Sequence, residues 1–177
     1  MHTYISILRG INVSGQKLIK MAELRKQLSE LGLQEVTTYI QSGNIIFQSS
    51  ITDSKEISHM IHQKIKEDYG FEVPVITLSR EALLSAATNN PYKSDNTIEQ
   101  LHITFLEDIP TSSNVDALDH TKFLPDEFEI LDKAVYLNVK NGYGKSKLTN
   151  NLFESKLKVM ATTRNMKTVN KLLELSA

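Results

Sequence analysis

Polar side chains that could bind an anion are concentrated in four stretches of the sequence. The ten candidate ligand-binding residues are Arg9, Asn12, Gln41, Ser42, Asn44, Ser146, Lys147, Thr163, Arg164 and Asn165. Hydroxyl and amide groups at helix N-termini suit anionic ligands, since the backbone N–H groups there are unpaired and the helix dipole favours negative charge. The same residue types also cap helices and shape turns. Both interpretations therefore stay open at these positions.

The placement of the cations favours a ligand. Two late helices are predicted to open at 145–150 and at 162–165, which puts Lys147 and Arg164 at helix N-termini. A cation there opposes the helix dipole and needs another reason to be present, such as a bound phosphate. Together with Arg9, these residues would supply positive charge to one pocket, provided that the separate loops converge in space.

Two further motifs match known catalytic or nucleotide-binding patterns only in part. Gly144-Lys145-Ser146 ends like a phosphate-binding P-loop, but Val139 stands where the first glycine is required. Ser14-Gly15-Gln16-Lys17 matches the S-x-x-K pattern, which needs serine and lysine on one face of a helix. The glycine and the loop context oppose such a helix. The sequence therefore predicts neither an ATP-binding loop nor a nucleophilic serine.

Composition and spacing also restrict metal and acid–base chemistry. The chain has no cysteine, which rules out disulfides, thiol catalysis and cysteine-ligated zinc. His59 and His62 have a metal-compatible spacing on a helix, but no third ligand is indicated, and we expect a solvated helix face. Asp126, Glu127 and Glu129 are interpreted as a solvated strand edge. No cofactor, metal or catalytic residue is predicted, and enzymatic activity stays undecided.

Hydrophobic periodicity in the first half predicts alternating strands and helices. The predicted strands are 3–8, 36–40, 45–48 and 73–78, and the predicted helices are 21–31 and 53–70. Gly32 and Gly70 stand where left-handed glycines end helices, and Pro74 favours an edge position for the fourth strand. The order β-α-β-β-α-β is that of a ferredoxin-like unit.

The second half repeats this order approximately. Ser79 is predicted to cap a short helix, and Asn89-Asn90-Pro91 then breaks the chain. The predicted strands are 101–105 (half-buried, by alternation), 127–131, 134–139 and 158–161, and the predicted helices are 114–119, 147–157 and a last one capped by Asn165. We therefore expect an α+β fold, a tandem of two ferredoxin-like βαββαβ units with an additional C-terminal helix, divided at 1–88 and 89–177.

Five ordered motifs resemble a known bacterial family. They are Leu8–Val13, Met21–Arg25, Thr38–Ile45, Ser146–Asn150 and Thr162–Asn165. Together they resemble the family of uncharacterised proteins called domain of unknown function 1697, over residues 3–175. Ser14 stands where a second glycine is usual, and Met166 replaces a usual tryptophan. The resemblance implies the two-repeat architecture and supplies no activity.

Charge and hydropathy set the expected partners. The net charge of −1 gives no global attraction to nucleic acid. The segment 43–49 has one aromatic residue and no adjacent arginine or lysine, unlike an RNA-recognition strand. No signal peptide or long apolar run is present, so we expect a cytoplasmic protein without membrane contact.

The function expected first is binding of a phosphorylated or otherwise anionic ligand, such as a nucleotide or nucleic acid. The alternatives are an enzyme acting on such a ligand without a side-chain nucleophile, and a protein–protein interaction module. Oligomeric state is not predicted.

Overall fold

The computed structural model describes residues 1–94 and 97–177. Within these residues the chain is a mixed α+β protein with two four-stranded antiparallel sheets and six α-helices. It divides into two compact units, of which the first comprises Met1–Leu84 with Lys171–Ala177 and the second comprises Ser85–Asn170. The predicted α+β class is confirmed.

The first unit has the element order that the hydrophobic pattern predicts. Its elements are β1 (His2–Leu8), α1 (Met21–Glu30), β2 (Gln34–Tyr39), β3 (Asn44–Ser49), α2 (Ser54–Tyr69) and β4 (Val75–Ser79), followed by α3 (Arg80–Thr88). The strand order is β2-β3-β1-β4, and every neighbouring pair is antiparallel. The strand that follows Pro74 lies at an edge, as predicted, because proline has no N–H for a second neighbour.

Local capping chemistry sets the ends of these helices. The Asp53 side chain accepts a hydrogen bond from the Lys55 N–H at the start of α2, and Ser79 Oγ accepts one from the Ala82 N–H in α3. Gly70 ends α2 in the left-handed conformation at φ 78°, and Gly32 follows α1 at φ 86°. These four predictions are confirmed, since each depends only on neighbouring residues.

The second unit has a similar order with shifted boundaries. Its elements are β5 (Leu101–Leu106), α4 (Ser112–Asp116), β6 (Glu127–Leu131), β7 (Ala134–Asn138), α5 (Asn150–Leu157), β8 (Ala161–Asn165) and α6 (Met166–Leu175), with short 3-10 helices at Ile98–Gln100, His120–Phe123 and Tyr143–Lys145. The strand order is β6-β7-β5-β8, again antiparallel throughout. Helix α6 ends in residues of the first unit.

Three predictions for the second unit are wrong. The strand β5 is buried on both faces rather than half-buried, since His102 and Thr104 are buried too. Helix α5 begins at Asn150 behind its cap Thr149, and not at Lys147. The segment 162–164 belongs to strand β8 rather than to a helix start, because Lys158 ends α5 in the left-handed conformation and β-branched threonines suit a strand.

Each unit has its own apolar core on the helix-bearing face of its sheet. In the first unit, Leu8 and Phe47 of the sheet belong to one cluster with Ile61 of α2. In the second unit, Leu137 of the sheet belongs to a cluster with Leu148 and Phe153. All these side chains are buried, so removal of water from apolar surface holds the helices to the sheets.

A buried hydroxyl lies in each core, between the sheet and a helix. In the first unit, the Oγ1 of Thr77 in β4 lies 2.7 Å from Ser6 Oγ in β1 and accepts a 2.8 Å hydrogen bond from Ser58 Oγ in α2. Because these groups are buried, their hydrogen bonds replace the water that they lose on folding.

The second unit has a corresponding arrangement. Thr163 Oγ1 in β8 donates a 2.7 Å hydrogen bond to Asn150 Oδ1 in α5 and lies 2.7 Å from Thr104 Oγ1 in β5. Register agrees as well, since Thr104 and Thr163 are direct partners across two strands, like Ser6 and Thr77. Matching backbone bonds occur at the strand ends, from Leu8 N–H to Gly43 O and from Leu106 N–H to Lys133 O, each 2.8 Å. The correspondence therefore extends to individual contacts.

We predict that Thr77→Val lowers the free energy of unfolding by about 1–3 kcal/mol, because it leaves the buried hydroxyls of Ser6 and Ser58 without their shared partner. Thr37→Val, on the exposed side of β2, is the matched control and is expected to change stability by less than about 0.5 kcal/mol. Urea denaturation of the full chain measures both. Equal effects from the two substitutions would contradict a special role for the buried hydroxyl.

We also predict a large cost for adding one carbon atom at Gly43. A Cβ there would lie 2.6 Å from Leu8 Cβ and 2.9 Å from Ile11 Cδ1, at a φ of 88° that L-residues avoid. Gly43→Ala should therefore lower the free energy of unfolding by about 2–4 kcal/mol. Gly15→Ala is the control, because Gly15 has a φ of 70° and open space around it, so only the unfavourable backbone conformation contributes. We expect it to lower the free energy of unfolding by only about 1 kcal/mol. Indistinguishable unfolding curves for the two variants would show that the close contact is unimportant.

Candidate functional site

The ten predicted site residues fall into two groups of five, one in each unit. Arg9, Asn12, Gln41, Ser42 and Asn44 lie where β1 ends and where the turn between β2 and β3 closes. The backbone N–H of Arg9 donates to Pro74 O (3.1 Å), and its side chain is half-buried. The second group comprises Ser146, Lys147, Thr163, Arg164 and Asn165.

The Asn12 side chain is a clamp that joins two loops. Its Nδ2 donates to Ile19 O (3.0 Å) and to Gln41 O (2.8 Å), while its Oδ1 accepts from Ile19 N–H (2.9 Å). The loop after β1 is thereby tied both to the approach to α1 and to the turn after β2. Because both Nδ2 and Oδ1 of this amide form hydrogen bonds within the chain, Asn12 stabilises the two loops in this structure.

The turn between β2 and β3 is held in the same way. Asn44 is fully buried, and its Nδ2 donates to Tyr39 O and to Ser42 Oγ, each at 3.0 Å. Gly43 packs directly beneath Leu8 and Ile11. Ser42 and Asn44 therefore close the turn from inside, which is the capping and turn chemistry that the sequence left open as the alternative to ligand binding.

Left-handed backbone is concentrated in these two loops. Gly10, Asn12, Ser14, Gly15 and Lys17 have φ values between 48° and 77°. The segment folds into a small hairpin in which Asn12 N–H donates to Lys17 O (3.1 Å) and Gln16 N–H donates to Val13 O (2.9 Å).

One residue in the second loop adopts this conformation at a real cost. Ile40 has a φ of 51°, although β-branched residues rarely enter the left-handed region. Such a residue costs about 1–2 kcal/mol unless the surrounding structure compensates. Strained residues of this kind are concentrated at functional sites in proteins.

Three exposed apolar side chains adjoin, along the chain, the residues of the Asn12 clamp. Val13, Leu18 and Ile40 expose 57%, 64% and 48% of their surface. Each is the chain neighbour of one of the three residues that the clamp joins, namely Asn12, Ile19 and Gln41. We call these three side chains the loop-end surface. Three cations, Arg9, Lys17 and Lys20, belong to the same segment. Lys17 Nζ donates to Glu72 O, and Lys20 Nζ lies 3.8 Å from Glu23 Oε1.

Ser146 and Lys147 do not open a helix, contrary to prediction. Ser146 follows a short 3-10 helix, and its Oγ donates a 2.7 Å hydrogen bond to Asp126 Oδ2. The other carboxylate oxygen of Asp126 accepts from Lys140 N–H (2.8 Å), so this carboxylate fastens two segments together. Asp126 is half-buried rather than part of a solvated edge. Lys147 is exposed, and α5 begins three residues later.

Arg164 also departs from its predicted position. It lies in β8 opposite Ile103 and not at a helix N-terminus, so the expected conflict between this cation and a helix dipole does not apply. Its Nη1 donates to Thr163 O (3.0 Å), and burial lowers the pKa of the guanidinium to about 10, against an opposing effect of Tyr143. Arginine therefore stays charged at neutral pH in this half-buried position. Asn165 is confirmed as the cap of α6, since its Oδ1 accepts from Thr168 N–H (2.8 Å).

A groove in the second unit has little local signal in the sequence. A cavity of about 410 Å³ follows the outer side of β6, and its lining comprises Tyr92, Val115, His120, Leu124, Asp126, Glu127, Phe128, Glu129 and Ile130. The alternating acidic residues of β6 are visible in the sequence. Tyr92 and His120 come from distant segments, so no local signal connects them with that strand.

The described ranges, 1–94 and 97–177, contain neither metal-site geometry nor a membrane-spanning helix. No group of three or more histidine, aspartate or glutamate side chains there has the arrangement of a metal site. His62, predicted to lie on a solvated face, is instead partly buried, with Nδ1 2.7 Å from Val73 O and Nε2 2.6 Å from a Glu72 carboxylate oxygen. No helix in these ranges has the length and hydropathy needed to cross a membrane.

Comparison with solved structures finds a similar fold over nearly the whole chain. A conserved bacterial protein of Streptococcus pneumoniae, SP0830, has the same fold with a TM-score of 0.68 and 25% identity, over 99% of each chain. No curated protein is detectably similar in sequence. The family model described as "Protein of unknown function (DUF1697)" matches residues 1–136, which include three of the five motifs noted above. The chain therefore belongs to this family of proteins of unknown function.

Proposed function

We propose that the protein is a binding module that recognises a partner protein through the loop-end surface of its first unit. The observation that carries the proposal is Ile40, whose β-branched side chain is exposed and is held at a φ of 51°. A strained backbone lowers stability, and an apolar side chain left largely in water gains little stabilisation from burial. A role in recognition accounts for both features.

The chemistry of the surface suggests the kind of partner. Val13 and Leu18 provide apolar contact area beside Ile40, and Arg9, Lys17 and Lys20 lie in the same loop. A partner segment with apolar side chains next to acidic ones complements this combination. The acidic character links the proposal to the anionic ligand expected from the sequence.

Binding of a small phosphorylated ligand or of nucleic acid is a second candidate. Arg9, Lys147 and Arg164 support it through their charge, while the amides and hydroxyls once assigned to the ligand are engaged in turns and strands. An anion would therefore be held mainly by cations and backbone N–H groups. An enzymatic role has less support. The half-buried Asp126 carboxylate could serve in acid–base chemistry, but both of its oxygens already accept hydrogen bonds within the second unit.

We further infer that each unit follows the ferredoxin-like plan and that the two arose as a tandem repeat, divided at 1–88 and 89–177. The matching hydroxyl networks and backbone bonds support this inference. A bacterial, cytoplasmic protein is the corresponding proposal for its origin and location.

Ile40→Asn provides a stability test of the strain. Asparagine enters the left-handed region more easily than isoleucine, so this substitution should raise the free energy of unfolding by about 0.5–1 kcal/mol. Leu131→Asn is the matched control, since Leu131 is equally exposed (46%) and has no left-handed φ. A loss of stability in Ile40→Asn comparable to that in Leu131→Asn would remove the support that strain gives to the proposal.

A binding test follows with a defined probe. We expect a fluorescent peptide that alternates leucine with aspartate to bind the full chain, and the matching leucine–lysine peptide to bind at least tenfold more weakly. Ile40→Asn combined with Leu18→Ser should weaken binding of the first peptide at least tenfold, because it removes the apolar contacts. Fluorescence anisotropy measures the affinities. Binding unaffected by the double substitution, or displaced fully by inorganic phosphate, would contradict recognition through this surface and would favour the anion-binding candidate.

A further inference from the structure

Strand β6 is an edge strand with a free side. It pairs with β7 alone among the strands of the described sheet, in the order β6-β7-β5-β8. Leu131 and Ala134 flank a two-residue turn, so they form the first hydrogen-bonded pair of this hairpin. Because hydrogen-bonded pairs alternate along an antiparallel ladder, Phe128 and Ile130 direct their backbone N–H and C=O groups away from β7.

The groove of about 410 Å³ lies along this free side, and both Phe128 and Ile130 line it. His120 stacks on the Phe128 ring, with ring centres 4.1 Å apart and planes inclined by 6°. Leu124, which is largely exposed, and Val115 extend the same wall. One side of the groove is therefore apolar and aromatic, next to backbone groups able to pair with another strand.

The opposite wall is acidic. Glu127 and Glu129 alternate with the buried Phe128 and are exposed. Tyr92 lines the same groove as both carboxylates. Burial first, and then the charges of Glu129 and Glu127, raise the pKa of its hydroxyl to about 12. A ring beside two carboxylates suits a guanidinium or ammonium group, which an aromatic face and negative charge both attract.

We propose that this groove binds an extended peptide segment of a partner protein, which adds a strand to β6 and presents arginine or lysine at alternate positions. The basic side chains face Glu127, Glu129 and Tyr92, and the residues between them lie against His120 and Leu124. The backbone of the segment pairs with the N–H and C=O groups of Phe128 and Ile130, as in strand addition to an exposed sheet edge.

A second copy of the same strand does not fit this site. In an antiparallel pairing of β6 with itself that places Phe128 opposite Phe128 or opposite Ile130, Glu127 or Glu129 would lie opposite Glu129 of the other copy, and like charges directly opposite each other are destabilising. The same charges reduce edge-to-edge aggregation. The partner is thus selected by charge, and the site is independent of the loop-end surface because it lies wholly within the second unit.

Blocked peptides that alternate arginine and valine test the proposal. We expect such a peptide to bind the full chain in a fluorescence anisotropy titration, and a glutamate–valine peptide not to bind. Glu127→Gln with Glu129→Gln should weaken binding at least tenfold. Glu56→Gln with Glu81→Gln changes the net charge equally at exposed sites of the first unit and should leave the affinity within twofold.

Backbone methylation separates strand addition from simple charge attraction. Two versions of the arginine–valine peptide carry N-methyl groups on alternate amides, one on the odd and one on the even positions. Only one set of amides faces β6, so one version should lose binding at least tenfold and the other should retain it. The proposal would be overturned if the two methylated versions bound with equal affinity, or if the two pairs of glutamate substitutions weakened binding equally. It would also be overturned if the arginine–valine peptide did not bind.

Discussion

The close approach of Gly43 to strand β1 is the constraint on which the loop end of the first unit depends. Its missing side chain allows the turn between β2 and β3 to pack onto Leu8 and Ile11, while its carbonyl accepts the Leu8 N–H. With this turn in place, the Asn12 amide can reach Gln41 O and Ile19 at once. Ile40, which directly precedes Gln41, belongs to the turn that this packing holds in place.

Polar side chains in both units serve mainly to hold the backbone. Asn44, Ser146 and Thr163 each bind another part of the chain through short hydrogen bonds. A buried polar group that loses its partner destabilises the protein by more than the hydrogen bond had stabilised it. These side chains therefore keep their hydrogen bonds within the fold. What remains for recognition is of a different kind, namely apolar side chains on a strained loop and a strand edge beside two carboxylates. Both features suit polypeptide partners better than small anions.

Sequence reasoning succeeded where the cause is local and failed where it is not. Asp53, Ser79 and Gly70 act on their immediate neighbours, so their spacing predicts their roles. The 162–165 run contains residues that suit a cap and residues that suit a strand, and its pairing with β5 decides between them. The candidate site posed the same difficulty. The sequence identifies Asn12 as a polar loop residue, but it does not reveal that the distant Gln41 carbonyl accepts the hydrogen bond from its side chain. The groove beside β6 was missed for a related reason, since Tyr92 and His120 meet that strand only in three dimensions.

Amide chemical shifts in the full chain, followed by NMR while the leucine–aspartate peptide is added, test the central claim most directly. Recognition through the loop end predicts concentration-dependent shifts confined to residues 9–20 and 40–44, with the amides of the β6 strand unchanged. Shifts spread over the second unit, or none in these two loops at saturating peptide, would contradict the account.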